Sequence, residues 1–154
     1  MAEDEDPTPS LFETATVGTT ERTQGRTVTE ADVVNFAGVS GDFNHVHTDA
    51  EAMADSPYGE RIVHGAFVFS ALTGLLWQSR SPREREAVVA FYGVDRLRFR
   101  APTFVGDTLH AELELVEKTE RDHPTAAGVL SYDAEMLKAD GTVVLSCRLK
   151  SMVE

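Results

Sequence analysis

The spacing of apolar residues changes near the middle of the chain and divides it into a helical half and a stranded half. Val33, Phe36 and Ala37 recur at helical spacing behind Thr29 as an N-cap, with Glu30 and Asp32 placed to favour the positive end of the helix dipole. Ser40-Gly41 stops this helix. Asp49 then caps a short helix through Ala54, which Ser56-Pro57-Tyr58-Gly59 breaks. Between Val63 and Gln78 the apolar residues Ala66, Phe67, Val68, Phe69, Ala71, Leu72, Leu75, Leu76 and Trp77 leave almost no polar face. A helix of that kind must be wrapped by other structure on nearly all sides.

Beyond this helix the period falls to two. Val88 to Arg100 is rich in β-branched and aromatic residues. Leu109, Ala111, Leu113 and Leu115 alternate with polar neighbours, as do Val143, Leu145, Cys147 and Leu149. Val129 to Leu137 is expected to pair with Val143 to Lys150 through Asp140-Gly141 in a tight hairpin, and Pro102 and Gly106-Asp107 mark another turn. Leu11 to Thr27 reads as an extended lead-in rather than a helix, and Ser79 to Glu86, interrupted by Pro82, as a solvated connection. Helices followed by consecutive antiparallel strands make an α+β domain.

The 154 residues fit one domain, expected over 11–154, behind an acidic, disordered tail over 1–10. Hydrophobic content is 42%, and no apolar run is long enough to span a bilayer. The N-terminus lacks the basic start and apolar core of a signal peptide, and Cys147 is the only cysteine, so a reducing cytoplasm is expected. A net charge of −12 argues against nucleic acid and against anionic membranes. Lysine is confined to Lys118, Lys138 and Lys150 while acids are spread along the chain, a balance that suggests adaptation to high salt, which screens self-repulsion.

Chemistry concentrates in Gly41-Asp42-Phe43-Asn44-His45-Val46-His47-Thr48-Asp49, read as a loop between helices. An Asp and a His five residues apart form a candidate acid/base pair, since their ordinary pKa values of about 3.9 and about 6.5 can be tuned into different proton-transfer roles. A second segment, Arg61-Ile62-Val63-His64-Gly65, opens the apolar helix. Helix N-termini carry unpaired N–H donors and the positive dipole end, which suits a developing oxyanion. His45-Val46-His47 with Asp42, Asp49 and His64 also invites a metal reading, but a loop setting and the lack of a further ligand pair in the strands weigh against it, so no metal is expected. His110 and His123 fall in strand and loop settings and are not assigned to the site.

The first segment resembles the signature of the MaoC-like dehydratases, the (R)-specific enoyl-CoA hydratases of the hot dog fold. Their pattern Gly-Asp-x-Asn-Pro-x-His-x-Asp is met at each named position except Pro, where His45 stands. The resemblance runs from about Thr27 to the C-terminus and includes Arg98-Phe99-Arg100-Ala101-Pro102 and Val105-Gly106-Asp107. It implies a curved antiparallel sheet around one long buried helix, and hydration of a 2-enoyl thioester or the reverse dehydration. No cofactor is implied beyond the coenzyme A of the substrate. Asp42 and His47 would share a water, and the Gly65 N–H would hold the thioester oxygen. Asn44 and His64 would support them. Thr73 on the buried helix, where relatives often carry Ser, either reaches the site or back-bonds its own helix. The fold also implies a homodimer joined edge to edge.

Coenzyme A is anionic, so an acidic protein needs a local basic patch. Arg96, Arg98 and Arg100 alternate along one strand and Arg80, Arg83 and Arg85 cluster before it; either set could meet phosphates or form a solvated, ion-paired face. Phe91, Tyr92 and Phe99 either line an acyl slot or fill the core, with the core preferred. A thioesterase on the same fold and a non-catalytic acyl-thioester-binding module are the rival functions.

Overall fold

In the computed structural model, which describes residues 8–154, the chain runs α1 (Leu11–Thr14), β1 (Thr20–Arg22), β2 (Arg26–Thr27), α2 (Glu30–Ser40), α3 (His45–Thr48), α4 (Ala50–Ala54), α5 (Gly65–Ser79), α6 (Pro82–Ala87), β3 (Val88–Phe99), β4 (Thr108–His123), β5 (Ala126–Lys138) and β6 (Val143–Val153). The strands form one antiparallel sheet in the order β1-β4-β5-β6-β3, with β2 also on β4. The β5–β6 hairpin has the expected pairing, Ala134 opposite Cys147 and Met136 opposite Leu145, and Gly141 turns it at φ 88°. Alternation sends Leu109, Ala111, Leu113, Ala134, Met136, Leu145, Cys147 and Leu149 to one face. There they pack with Phe67, Val68, Ala71, Leu72, Leu75 and Leu76 of α5 in one core. This is the hot dog arrangement, a curved sheet against a long central helix.

Helix α5 is wrapped less completely than its composition suggests. Ala66, Ser70 and Trp77 are exposed along one side. Phe91 and Tyr92, expected in the core, are about half exposed on β3, and Phe99 more so. The reason is topological: β3 pairs only with β6 and forms an edge of the sheet. A bulge between Asp95 and Arg98, with Arg96 at φ 53°, breaks the alternation expected for the three arginines.

Local capping overrides two further expectations. Leu11–Thr14 is helical because Ser10 and Glu13 form a capping box, and Phe12 then packs with Leu115, Leu130 and Val153. Ser81 and Glu84 form another, which starts α6 with Pro82 in its first turn, where proline loses no hydrogen bond. Residues 1–7 of the expected tail lie outside the described residues. His123 ends β4 rather than standing in a loop, and His110 pairs with Glu112 on the same strand at 3.3 Å. Among the described residues no helix is long and apolar enough to cross a membrane.

Leu72 is fully buried at the centre of this core. Leu72→Ala is expected to lower the free energy of unfolding by about 2–5 kcal/mol, read from denaturant titration, because the rigid sheet around it cannot close the cavity.

Candidate active site

The first site residue is placed by a helix stop. Gly41 caps α2 in the left-handed conformation, φ 76°, which a side chain disfavours, and its N–H donates to the Ala37 carbonyl at 2.9 Å. The chain then leaves the helix at Asp42, whose N–H donates to the Ser40 hydroxyl at 3.1 Å. Asp42 Oδ1 accepts the Asn44 N–H at 3.2 Å, and Asn44 Oδ1 in turn accepts the Val46 N–H at 3.2 Å as the N-cap of α3. Two successive side-chain turns thus replace the expected loop by one turn of helix. That turn carries His47 inward, to 8% exposure, while Asp42 and His45 remain exposed.

His47 Nδ1 lies 2.7 Å from the Ile62 carbonyl. A carbonyl only accepts, so this nitrogen carries the proton, and Nε2 presents its lone pair in the neutral ring. Nε2 stands 3.7 Å from Asp42 Oδ2. The gap exceeds a direct hydrogen bond, but both atoms can reach one shared water at about 2.8 Å. His64 completes the cluster. Its Nε2 lies 2.9 Å from the Asp42 carbonyl, and its ring stacks on that of His47 with centroids 3.7 Å apart and planes inclined by 27°.

His64 is also the N-cap of α5 but gives that helix no side-chain hydrogen bond, whereas a side chain caps each of the other described helices. The first-turn amides of α5 keep their hydrogen-bonding capacity at the positive end of the dipole. Gly65 and Ala66 line a cavity of about 430 Å³ together with His47, Tyr58, Val68, Phe99 and Arg100. Its wall is mostly apolar, with Ile62, Val63, Pro102 and Val144 contributing. Asp42 does not itself line the cavity and meets it through His47. A Cβ at position 65 would stand 2.7 Å from the Phe99 ring, so a larger residue there has to displace that ring from the cavity wall.

Ligand atoms of Asp42, His47 and His64 lie within 4.8 Å of one another, the only such three-residue metal-capable group among the described residues. One nitrogen of each ring is already engaged by a backbone carbonyl, however, His47 Nδ1 by Ile62 and His64 Nε2 by Asp42. The arrangement suits proton transfer better than coordination.

The remaining sequence candidates divide. Thr73 donates to the Ser70 carbonyl at 2.7 Å, so it back-bonds its own helix. Arg96 faces Asp133 at 3.6 Å and Arg98 folds onto the Leu97 carbonyl. Arg100 alone of the three lines the cavity, with Nε on the Ser146 hydroxyl at 2.9 Å. Arg80 is buried beside the Tyr132 ring, Arg83 bonds the Pro9 carbonyl, and Arg85 bonds the Trp77 and Gln78 carbonyls, so the second cluster is committed to structure. Phe99 belongs to the cavity wall and not to the core.

Sequence reasoning missed three residues. Tyr58 and Thr103 line the cavity, and Arg61 clamps the intervening segment to α2 through a bidentate pair with Glu30 at 2.7 and 2.8 Å. The Arg61 hydrogen bond holds the Glu30 carboxyl below the usual carboxylate range. Turn chemistry around Pro57 and Pro102 was legible, but nothing local says that both turns face one cavity.

Residues 12–135 match the MaoC like domain family. Protein MaoC of Klebsiella aerogenes is 41% identical over 120 residues, which make up 78% of this chain and 35% of that protein, so the chain spans about a third of that relative. The (R)-specific enoyl-CoA hydratase of Aeromonas caviae is 36% identical over 96 residues, 62% of this chain and 67% of that enzyme. Among solved structures, the monoamine oxidase regulatory protein of Archaeoglobus fulgidus superposes with a TM-score of 0.82 at 32% identity, covering 92% of each chain. The A. caviae (R)-hydratase involved in PHA biosynthesis superposes with a TM-score of 0.75 at 27% identity, covering 92% of this chain and 99% of that one. The family match, these identities and the shared fold agree: the chain belongs to the MaoC-like dehydratase family.

Proposed function

We propose that this chain is an (R)-specific enoyl-CoA hydratase, equally able to run as a 3-hydroxyacyl-CoA dehydratase. The observation that carries this reading is the Asp42 carboxylate 3.7 Å from the lone-pair nitrogen of His47, beside an uncapped helix mouth on a mostly apolar cavity. The enoyl thioester lies in the cavity with its carbonyl oxygen toward the Gly65 N–H. Asp42 and His47 hold the water between them, take one of its protons as its oxygen adds to the β-carbon, and deliver a proton to the α-carbon. Negative charge passes through the thioester oxygen, where one amide donor is typically worth about 2.7–4 kcal/mol of barrier. Water adds across the double bond with no net redox change, so the reaction needs no cofactor beyond the coenzyme A of the substrate. Arg100 at the cavity is the one candidate of Arg96, Arg98 and Arg100 for a phosphate contact. The acidic composition supports work at high salt, and the single cysteine a reducing cytoplasm.

The open side of α5 and the β3 edge favour a homodimer. Val89, Phe91 and Tyr92 on the edge strand and Trp77 on α5 are exposed apolar side chains, with Phe69 beside Phe91 at 6.4 Å. A second copy joined β3 to β3 covers both.

The activity is tested with crotonyl-CoA in low and high KCl, following loss of the enoyl absorbance and release of free thiol separately. Hydration without thiol release is expected, falling by about 10²-fold or more in Asp42→Asn and in His47→Ala. Burial pushes the Cys147 thiol up to about 11, so the protein itself contributes little to the thiol channel. Thiol release would mark a thioesterase, and silence in both channels at every salt level a binding module. For assembly, light scattering after gel filtration is expected to give a dimer for the wild type and a monomer for Phe91→Asp. A monomeric wild type overturns the dimer.

A further inference from the structure

We propose that His64 is a positioning residue for the hydration, fixing both members of the acid/base pair at once; the role rests on the function assigned above. His64 is 2% exposed and sits between three parts of the site. Its Nε2–H donates to the Asp42 carbonyl at 2.9 Å, its ring lies flat on His47, and the next residue is Gly65. On the same ring the Phe36 edge approaches at 5.1 Å and 61°.

Each contact supplies a restraint the pair otherwise lacks. The Asp42 side chain is half exposed, and its carboxylate is held by one local bond to the Asn44 N–H. The His64 donor anchors the Asp42 backbone from the buried side. His47 has a single ring hydrogen bond, to the Ile62 carbonyl, and a turn of the ring about its Cβ–Cγ bond would break it and free Nδ1 from the protonated state. Stacking on His64 removes that rotation and keeps Nε2 turned toward Asp42.

The chemistry of the ring points the same way. Because Nε2 is the donor, Nδ1 is an acceptor, and it is buried without a partner. An orphaned buried nitrogen weakens the fold. A side chain that merely filled this space would avoid it, whereas one that must be flat toward His47 and donate toward Asp42 cannot. Leucine lacks both properties, phenylalanine the donor, and glutamine the ring.

The experiment compares His64→Ala, His64→Gln and His64→Phe with the wild type in steady-state hydration of crotonyl-CoA. It adds long-range ¹⁵N–¹H NMR of the imidazole nitrogens to read the tautomer of His47. His64→Ala is expected to lower kcat by about 10-fold to 10²-fold, the scale of a misplaced catalytic group, with KM changed by no more than about twofold. His47 is expected to pass from one tautomer, protonated at Nδ1, to a mixture. His64→Gln, which keeps the donor, and His64→Phe, which keeps the stack, should each recover part of the kcat, and they carry the test if His64→Ala does not fold. Wild-type kcat in any folded variant, a loss confined to KM, or an unchanged His47 tautomer overturns the proposal. If the wild type hydrates nothing, the functional reading fails instead, and the NMR comparison still decides whether His64 holds His47.

Discussion

Helix α5 has to bury Phe67, Val68, Leu72, Leu75 and Leu76 against the inner faces of β4, β5 and β6, and that requirement fixes where its first turn lies. A helix gripped along its length cannot slide or turn to follow a ligand. Its N-terminus is therefore a rigid reference, with amides that no side chain caps. The segment before it bonds to its surroundings through the Val63 N–H to the Thr103 carbonyl at 2.8 Å and the Ile62 N–H to the Val46 carbonyl at 3.0 Å. Through the second of these the α3 turn, and with it His47, is tied to the same reference. The Gly65 amide and the His47 ring are thus located relative to one buried element rather than to two mobile loops.

A surplus of acid is managed over the sheet surface by pairing. Arg148 forks onto Asp133 at 2.7 and 2.9 Å, Lys150 meets Asp95 at 2.6 Å, and Lys138 meets Asp107 at 2.8 Å. With Arg22, Arg26, Arg61 and Arg96 also facing carboxylates, seven of the 14 Lys and Arg side chains stand in ion pairs. For the proposed activity, recognition falls on the apolar cavity and on Arg100 at its wall. The exposed aromatics of β3 fit the proposed dimer, in which a second sheet would complete this edge.

Much of this was legible in the chain. The alternation of Leu109 to Leu115 and of Val143 to Leu149, the Asp140-Gly141 turn, the Thr29 cap and the apolar run of α5 gave strands, hairpin and helices, because periodicity and capping are local properties. The spacing of Asp42, Asn44, His47, His64 and Gly65 named the chemical groups and the family. What failed was equally consistent. Leu11–Thr14 and Pro82–Ala87 became helical through capping boxes that composition hid, and Phe91, Tyr92 and Phe99 lie outside the core because β3 is an edge.

The sequence by itself therefore determined the elements, the α+β class and the inventory of reactive groups, since each depends on neighbours within a few positions. The tertiary structure alone decided that His64 lies flat on His47, that Asp42 comes within 3.7 Å of the free nitrogen of His47, that Arg100 and not Arg96 or Arg98 meets the cavity, and that one side of α5 stays open. Those facts depend on which distant segments the packing of a single helix brings together, and no local pattern encodes that distance.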